Sequence, residues 1–295
     1  MEKLISEYLL GCKTNGKDFC YEYGSLLKGC MQMHQVTGDE KYLEFIMKYL
    51  QTVTTKDGKL IGLGTEELNI DSVSTMSVLF YIYDLTGDEA YRKAAGLVQD
   101  KLQGLKRDTE GNFIWKDGME KIFPFYMEYE TRYNKKANYN DITTQLSGIR
   151  DKGQKASYLM ALIDVIDAMS IEIFEHYKSL EKIFKEEVKE LLPEFISQVE
   201  EQTRRVEEGD FVRNRVKQVY ILTVAYAVIK ACRIGVLSKE KYEKTGLDAF
   251  QSIMQEKELL LKDTGAEDGC KTDGKAECIG IFMMAYAQKL MMQKQ

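Results

Sequence analysis

Thr37-Gly38-Asp39-Glu40-Lys41-Tyr42 and Thr86-Gly87-Asp88-Glu89-Ala90-Tyr91 are two copies of one pattern, 49 residues apart. Each reads as the turn of a helical hairpin. Glycine ends the first helix, because a residue without a Cβ enters the left-handed region at little cost. Aspartate offers its carboxylate to the free N–H groups of the second helix, and glutamate in the first turn complements its dipole. The flanks agree: apolar stretches at 21–33 and 74–83 precede the turns, and amphipathic stretches at 42–50 and 91–102 follow. Self-similarity at such a period announces a repeat architecture, either a solenoid or a closed ring.

The alternation continues with looser sequence. Stretch 125–133 precedes 139–146, and the nearly all-apolar 158–169 precedes 180–199, whose Ile183, Phe184, Val188, Leu191, Leu192, Phe195 and Ile196 fall on one stripe. Stretch 219–232 precedes 242–254, and 278–290 is a sixth apolar helix with nothing after it. Residues 4–10 could supply the missing outer partner. Six inner and six outer helices make an all-α (α/α)6 barrel, expected as a single domain over 1–295. The alternative, an open solenoid, wants a polar capping repeat at its end, and the C-terminus carries none. With only two prolines, the chain is suited to a helical fold.

Charge and composition exclude several function classes. A net charge of −6 without a long basic run argues against a nucleic-acid surface. No stretch approaches the roughly 20 apolar residues of a membrane span, and residues 1–8 lack a signal peptide's order of charge and apolarity. The expected setting is therefore cytoplasmic, with six cysteines reduced and acting as small apolar fillers. No Cys-x-x-Cys occurs, and neither His34 nor His176 sits near a cysteine pair, so no metal is expected. Asp164-Val165-Ile166-Asp167 imitates a magnesium motif only weakly, inside an apolar helix, and the two histidines read as surface or loop residues without a role.

In a helical toroid the funnel is lined by the loops that lead into the inner helices. Asp71, in Asn69-Ile70-Asp71-Ser72, stands at the start of the second inner helix, and Asp117, in Trp115-Lys116-Asp117-Gly118, precedes the third. Two carboxylates converging on a cavity can perform acid–base work on a glycoside. Aspartate is also a favoured helix cap, and on spacing alone that is the simpler reading of each.

The order of motifs resembles the unsaturated uronyl hydrolases of glycoside hydrolase families 88 and 105. The carrying residues are Phe19-Cys20-Tyr21-Glu22-Tyr23-Gly24 before the first turn, Asn69-Ile70-Asp71 before the second, Trp115-Lys116-Asp117-Gly118 with Pro124-Phe125 after it, and the stretch from Met160 to Asp167. The resemblance implies a barrel that removes a 4,5-unsaturated uronic acid from the non-reducing end of a short oligosaccharide, without a cofactor. By matching motif, Asp117 is the general acid/base, Asp71 the second carboxylate, and Tyr21 a lining residue of the sugar pocket. Trp115 belongs to the same segment, though the shortened chain before it also permits Trp115 to stand for an earlier aromatic of the family.

Departures accompany the matches. The aromatic–histidine segment before Trp-x-Asp-Gly is missing, as is most of the insert carrying His-x-x-Asp. Arg150-Asp151-Lys152-Gly153 stands where the family has Trp-Gly-Arg-Gly. Arg150 and Lys152, with Lys155, are candidates to meet a substrate carboxylate, against the plainer reading of solvated surface charge. The retained acid pair favours a working enzyme. The trimmed segments favour the alternative, a barrel without catalysis that binds carbohydrate or another protein; fold alone does not choose. Oligomeric state is not legible.

Overall fold

The computed structural model describes residues 2–12, 21–61, 70–114, 118–149, 155–208, 215–255 and 274–295. These form α1 (Glu2–Gly11), α2 (Tyr21–Thr37), α3 (Glu40–Val53), α4 (Ile70–Met76), α5 (Leu79–Thr86) and α6 (Glu89–Gln103), then a 3-10 turn at Met119–Ile122, α7 (Phe123–Arg132), α8 (Tyr139–Ser147), α9 (Lys155–Ala168), α10 (Phe174–Glu207), α11 (Arg215–Arg233), α12 (Lys239–Met254) and α13 (Lys275–Gln293). There is no strand among the described residues, only two isolated bridges.

The two turns are built alike, atom by atom. Thr37 Oγ1 donates to the Met33 carbonyl and Thr86 Oγ1 to that of Ile82, both at 2.7 Å. Gly38 and Gly87 take φ of 69° and 65°. Asp39 then accepts from the Lys41 N–H, and Asp88 from the Ala90 N–H. Where the chain has lost the pattern, after α7, a different device holds the corner. The buried Glu130 carboxylate accepts from Gln99, from the Asn134 side chain, and from both the backbone and side chain of Asn138. Those bonds offset the strain of Lys135 and Lys136, non-glycine residues at φ of 52° and 64°.

Inner helices α2, α4 with α5, α7, α9, α11 and α13 run side by side in one direction and close a ring. Starts meet starts and ends meet ends: Gly24 abuts Ser74 near the beginnings of α2 and α4, while His34 Nδ1 lies 2.5 Å from Tyr81 Oη near the ends of α2 and α5. The ring shuts between α2 and α13, where a Cβ on Gly280 would stand 2.3 Å from the Ser25 backbone. Gln288 of α13 reaches Gln32 of α2 at 2.9 Å. Outside this ring α3, α6, α8, α10 and α12 bury one face each, and α1 sits beside the start of α13 with Ile5 and Leu9 buried and Lys275 over Tyr8. This is the (α/α)6 barrel, not an open solenoid.

Three details depart from the sequence reading. The second inner helix is broken at Ser77–Val78 into α4 and α5. Helix α10 spans 34 residues and passes through Pro193, and of its expected stripe Ile196 is 38% exposed. His34 is no surface residue; it lies in the last turn of α2 with its ring largely covered against Tyr81.

Candidate active site

Stretches 13–20, 62–69, 115–117, 150–154, 209–214 and 256–273 precede the inner helices in the sequence. Trp115, Asp117, Arg150 and Lys152 lie in these stretches, outside the described residues. Tyr21 opens α2, and Asp71 is the second residue of α4. Gly24 and Ser74, each three residues further along, touch so closely that a Cβ on Gly24 would fall 2.1 Å from Ser74 Oγ. Tyr21 and Asp71 are thus each about one turn above the point where two parallel helices meet. Since the inner helices are parallel, Gly118 before the 3-10 turn and Lys155 at the start of α9 belong to the same, front end of the barrel.

The front hollow is small, about 20 Å³, with Ser25, Ser74, Ser157 and the cations Lys28 and Lys121 on its walls. Inner-helix N-termini converge at this end, and the positive ends of their dipoles favour negative charge. Behind it lies a second, much larger cavity of about 450 Å³ among the C-terminal halves of the inner helices. Lys28, Pro124 and Asp164 line both, so they form the partition.

A closed circuit of polar side chains runs around one wall of the rear cavity. Arg233 Nε donates to Gln288 Oε1 at 2.6 Å, and Gln288 Nε2 to Gln32 Oε1 at 2.9 Å. Gln32 Nε2 donates to Tyr226 Oη at 3.1 Å, and Tyr226 Oη to Asp164 Oδ1 at 2.7 Å. Lys230 then bridges Asp164 and Asp167, 2.9 Å from each, and Asp167 faces Arg233 at 3.6 Å. Burial raises the Asp164 carboxyl, but Lys230 and Lys28 outweigh it and hold the group below the usual aspartate range. Burial likewise lowers the Lys230 ammonium, yet the Asp164 charge above all keeps it well above an ordinary lysine. Across the cavity Arg132 clasps both Asp84 oxygens at 2.9 Å and donates to Glu128. The Glu128 carboxyl is raised by burial, with Arg132 pulling the other way.

Of this wall the sequence reading noted only Asp164 and Asp167, as a weak motif without a role, although a stronger signal was present. Lys28, Asp164 and Lys230 are charges inside otherwise apolar inner helices, where an ion is seldom buried without a partner. The spacing Asp164/Asp167 on α9 and Lys230/Arg233 on α11 repeats at i, i+3, which puts two facing pairs on adjacent helices. What resembled a magnesium motif is the acidic half of that pairing. No group of three His, Cys, Asp or Glu side chains among the described residues is placed to hold a metal ion.

The sequence model of Glycosyl Hydrolase Family 88 matches residues 11–164, which is more than half the chain and includes every candidate site residue. The chain belongs to glycosyl hydrolase family 88. Solved structures similar to this family 88 chain have the same fold. One is a glycoside hydrolase from family 105 of C. acetobutylicum ATCC 824, 21% identical, with 99% of each chain covered and a TM-score of 0.74. A family 88 glycosyl hydrolase from Bacteroides vulgatus is 13% identical, again with 99% of each chain covered, at 0.65. A possible family 105 member from Klebsiella pneumoniae subsp. pneumoniae MGH 78578 is 15% identical over 91% of this chain and 82% of that one, at 0.63. The family 88 match ends at Asp164, so the Lys230–Arg233 half of the rear circuit lies beyond it. Among the described residues no helix is long and apolar enough to cross a membrane.

Proposed function

We propose that the front end of this family 88 barrel hydrolyses 4,5-unsaturated uronides, removing the unsaturated sugar from the non-reducing end of a short oligosaccharide. The observation that carries the reading is the convergence at one end of parallel inner helices that begin at or just after the motif residues, within the segment that matches the family. Helix N-termini together with Lys28 and Lys121 give that end a field suited to a uronate carboxylate. Arg150 and Lys152, ahead of α9, add cations in the same part of the chain, and Tyr21 and Trp115 supply aromatic surface for the ring.

In the proposed reaction Asp117 gives its proton to C4 of the enol ether, and a water oxygen bonds to C5. The water's spare proton passes to a carboxylate, restoring the acid. The hemiketal formed at C5 opens, and the aglycone leaves with its hydroxyl. Asp71 is the second carboxylate of the proposed pair; the acid's role requires it to be protonated near working pH, which a neighbouring like charge would favour. The chain's own residues suffice for these steps.

The test is loss of ultraviolet absorbance from unsaturated glucuronyl and galacturonyl disaccharides. Turnover is expected in the parent and absent in Asp117→Asn, with circular dichroism unchanged. Asp117→Asn turning over as fast as the parent would remove Asp117 from the acid's role. A second reading, a barrel that binds sugar or protein without turnover, draws on the 20 Å³ of the front hollow. It predicts no turnover of either disaccharide by the parent.

A further inference from the structure

We infer that the rear cavity is a second binding site, separate from the front end, for a small neutral polyol of about monosaccharide size. Its volume of about 450 Å³ falls within the range of small-molecule pockets. Its depth fits too: from Lys28 to Gln35, α2 advances about 10 Å along the axis at roughly 1.5 Å per residue.

The lining is fixed in advance. In the circuit from Arg233 through Gln288, Gln32 and Tyr226 to Asp164, each group donates to the next, so amide and hydroxyl orientations are all set by one chain. What these bonds leave open identifies the ligand class. Lys28 has its nearest carboxylate, Asp164, at 3.7 Å, too far for a hydrogen bond. The terminal nitrogens of Arg233 have only Asp167 at 3.6 Å. On the acceptor side, Arg132 engages Oε1 of Glu128 and leaves Oε2, and Lys230 and Arg233 both address Oδ2 of Asp167 and leave Oδ1. Among the described residues, therefore, open donors and open acceptors face the same space.

An anion in this space would meet two open carboxylate oxygens and the carbonyl ends of the inner helices. A cation would meet Lys28 and Arg233. An apolar ligand would strip water from all four groups without replacing it. A hydroxyl both donates and accepts, so a ring of hydroxyls satisfies both sets at once.

The experiment is a thermal-shift and calorimetric titration of the full chain with D-galactose, L-rhamnose, D-xylose and myo-inositol, beside D-glucuronate and inorganic phosphate. At least one neutral compound is expected to saturate. Its affinity should fall at least tenfold in Gln35→Trp, which fills the exposed rim, and in Asp167→Asn, which removes an open acceptor and keeps an oxygen for Lys230. It should be unchanged in Asp117→Asn, which reports on the front end. Failure of all four neutral compounds to bind would overturn the proposal. So would binding that survives both rear variants, or tighter rear binding of glucuronate or phosphate than of any polyol.

Discussion

Asp164 shows what one buried charge does for this barrel. Asp164 is 8% exposed, and its carboxylate answers Lys230, Lys28 and Tyr226 together. Replacing it with alanine leaves the Lys230 ammonium buried beside the lone Asp167 contact, a loss expected at about 3–5 kcal/mol by denaturant unfolding. Because the folded carboxyl titrates below an unfolded aspartate, its stabilisation is complete above about pH 4 and is lost as pH falls through the lowered folded value. The stability gap between the parent and Asp164→Asn should therefore be constant from pH 5 to 8 and narrow below pH 4. A gap independent of pH down to 2 would contradict the assigned partners. A charge within an apolar run was visible in the sequence, but not its partner, because Asp164 and Lys230 are joined only by the closing of helices 66 residues apart. The candidate residues fared differently. Motif order located Tyr21 and Asp71 at the front ends of their helices, whereas Asp117, Trp115, Arg150 and Lys152 remain placed by motif alone.

At the level of elements, the Thr-Gly-Asp turns were fully legible because their chemistry is local: threonine, glycine and aspartate each act within four residues. A second local signal went unread. Asp57-Gly58-Lys59-Leu60-Ile61 and Glu110-Gly111-Asn112-Phe113-Ile114 follow the outer helices α3 and α6, and each closes a small bridge, Thr54 to Leu60 and Arg107 to Phe113. Gly58 and Gly111 take φ of 84° and 86° there. The break at Ser77–Val78 was illegible, since neither residue is a helix breaker; the Ser77 hydroxyl donates to the Ser74 carbonyl there at 2.7 Å, which competes with the helix's own ladder. Glycines separate the two kinds of constraint. Gly87 has positive φ and open space around it, so Gly87→Ala should cost about 1 kcal/mol of left-handed strain and no more. Gly280 is ordinary helix, but its Cβ would overlap the Ser25–Leu26 backbone at 2.3–2.5 Å. Gly280→Ala should lower Tm by at least twice as much as Gly87→Ala, because two helices must part. Equal shifts would mean that α2 and α13 are less closely apposed than described.

For the whole molecule, closure is the decisive property. A ring of inner helices has no free face except at its seam, and the seam here is α2 against α13. Deleting α13 should leave α2 and α11 each with an uncovered apolar side. The expected result is loss of the sharp cooperative thermal transition and gain of ANS fluorescence; a truncated chain that still unfolds sharply at the parent's Tm would show that the seam contributes little. Repetition in the sequence predicted the ring because each hairpin must bury its inner face against neighbours. The axial division into a small front hollow and a large rear cavity was not predictable, since it depends on which side chains meet at the axis.

The Gln32–Gln288 bond joins residues separated by 256 positions. A ribosome adding roughly 5–20 residues per second needs about 13–50 s to travel from one to the other. Throughout that interval the nascent α2 has no seam partner, and the flank around Gly29, which Gly280 and Met283 later cover, is open to any sticky neighbour in the cell. Translation speed and chaperone supply should then govern the yield of this barrel at least as strongly as the stability of the finished ring.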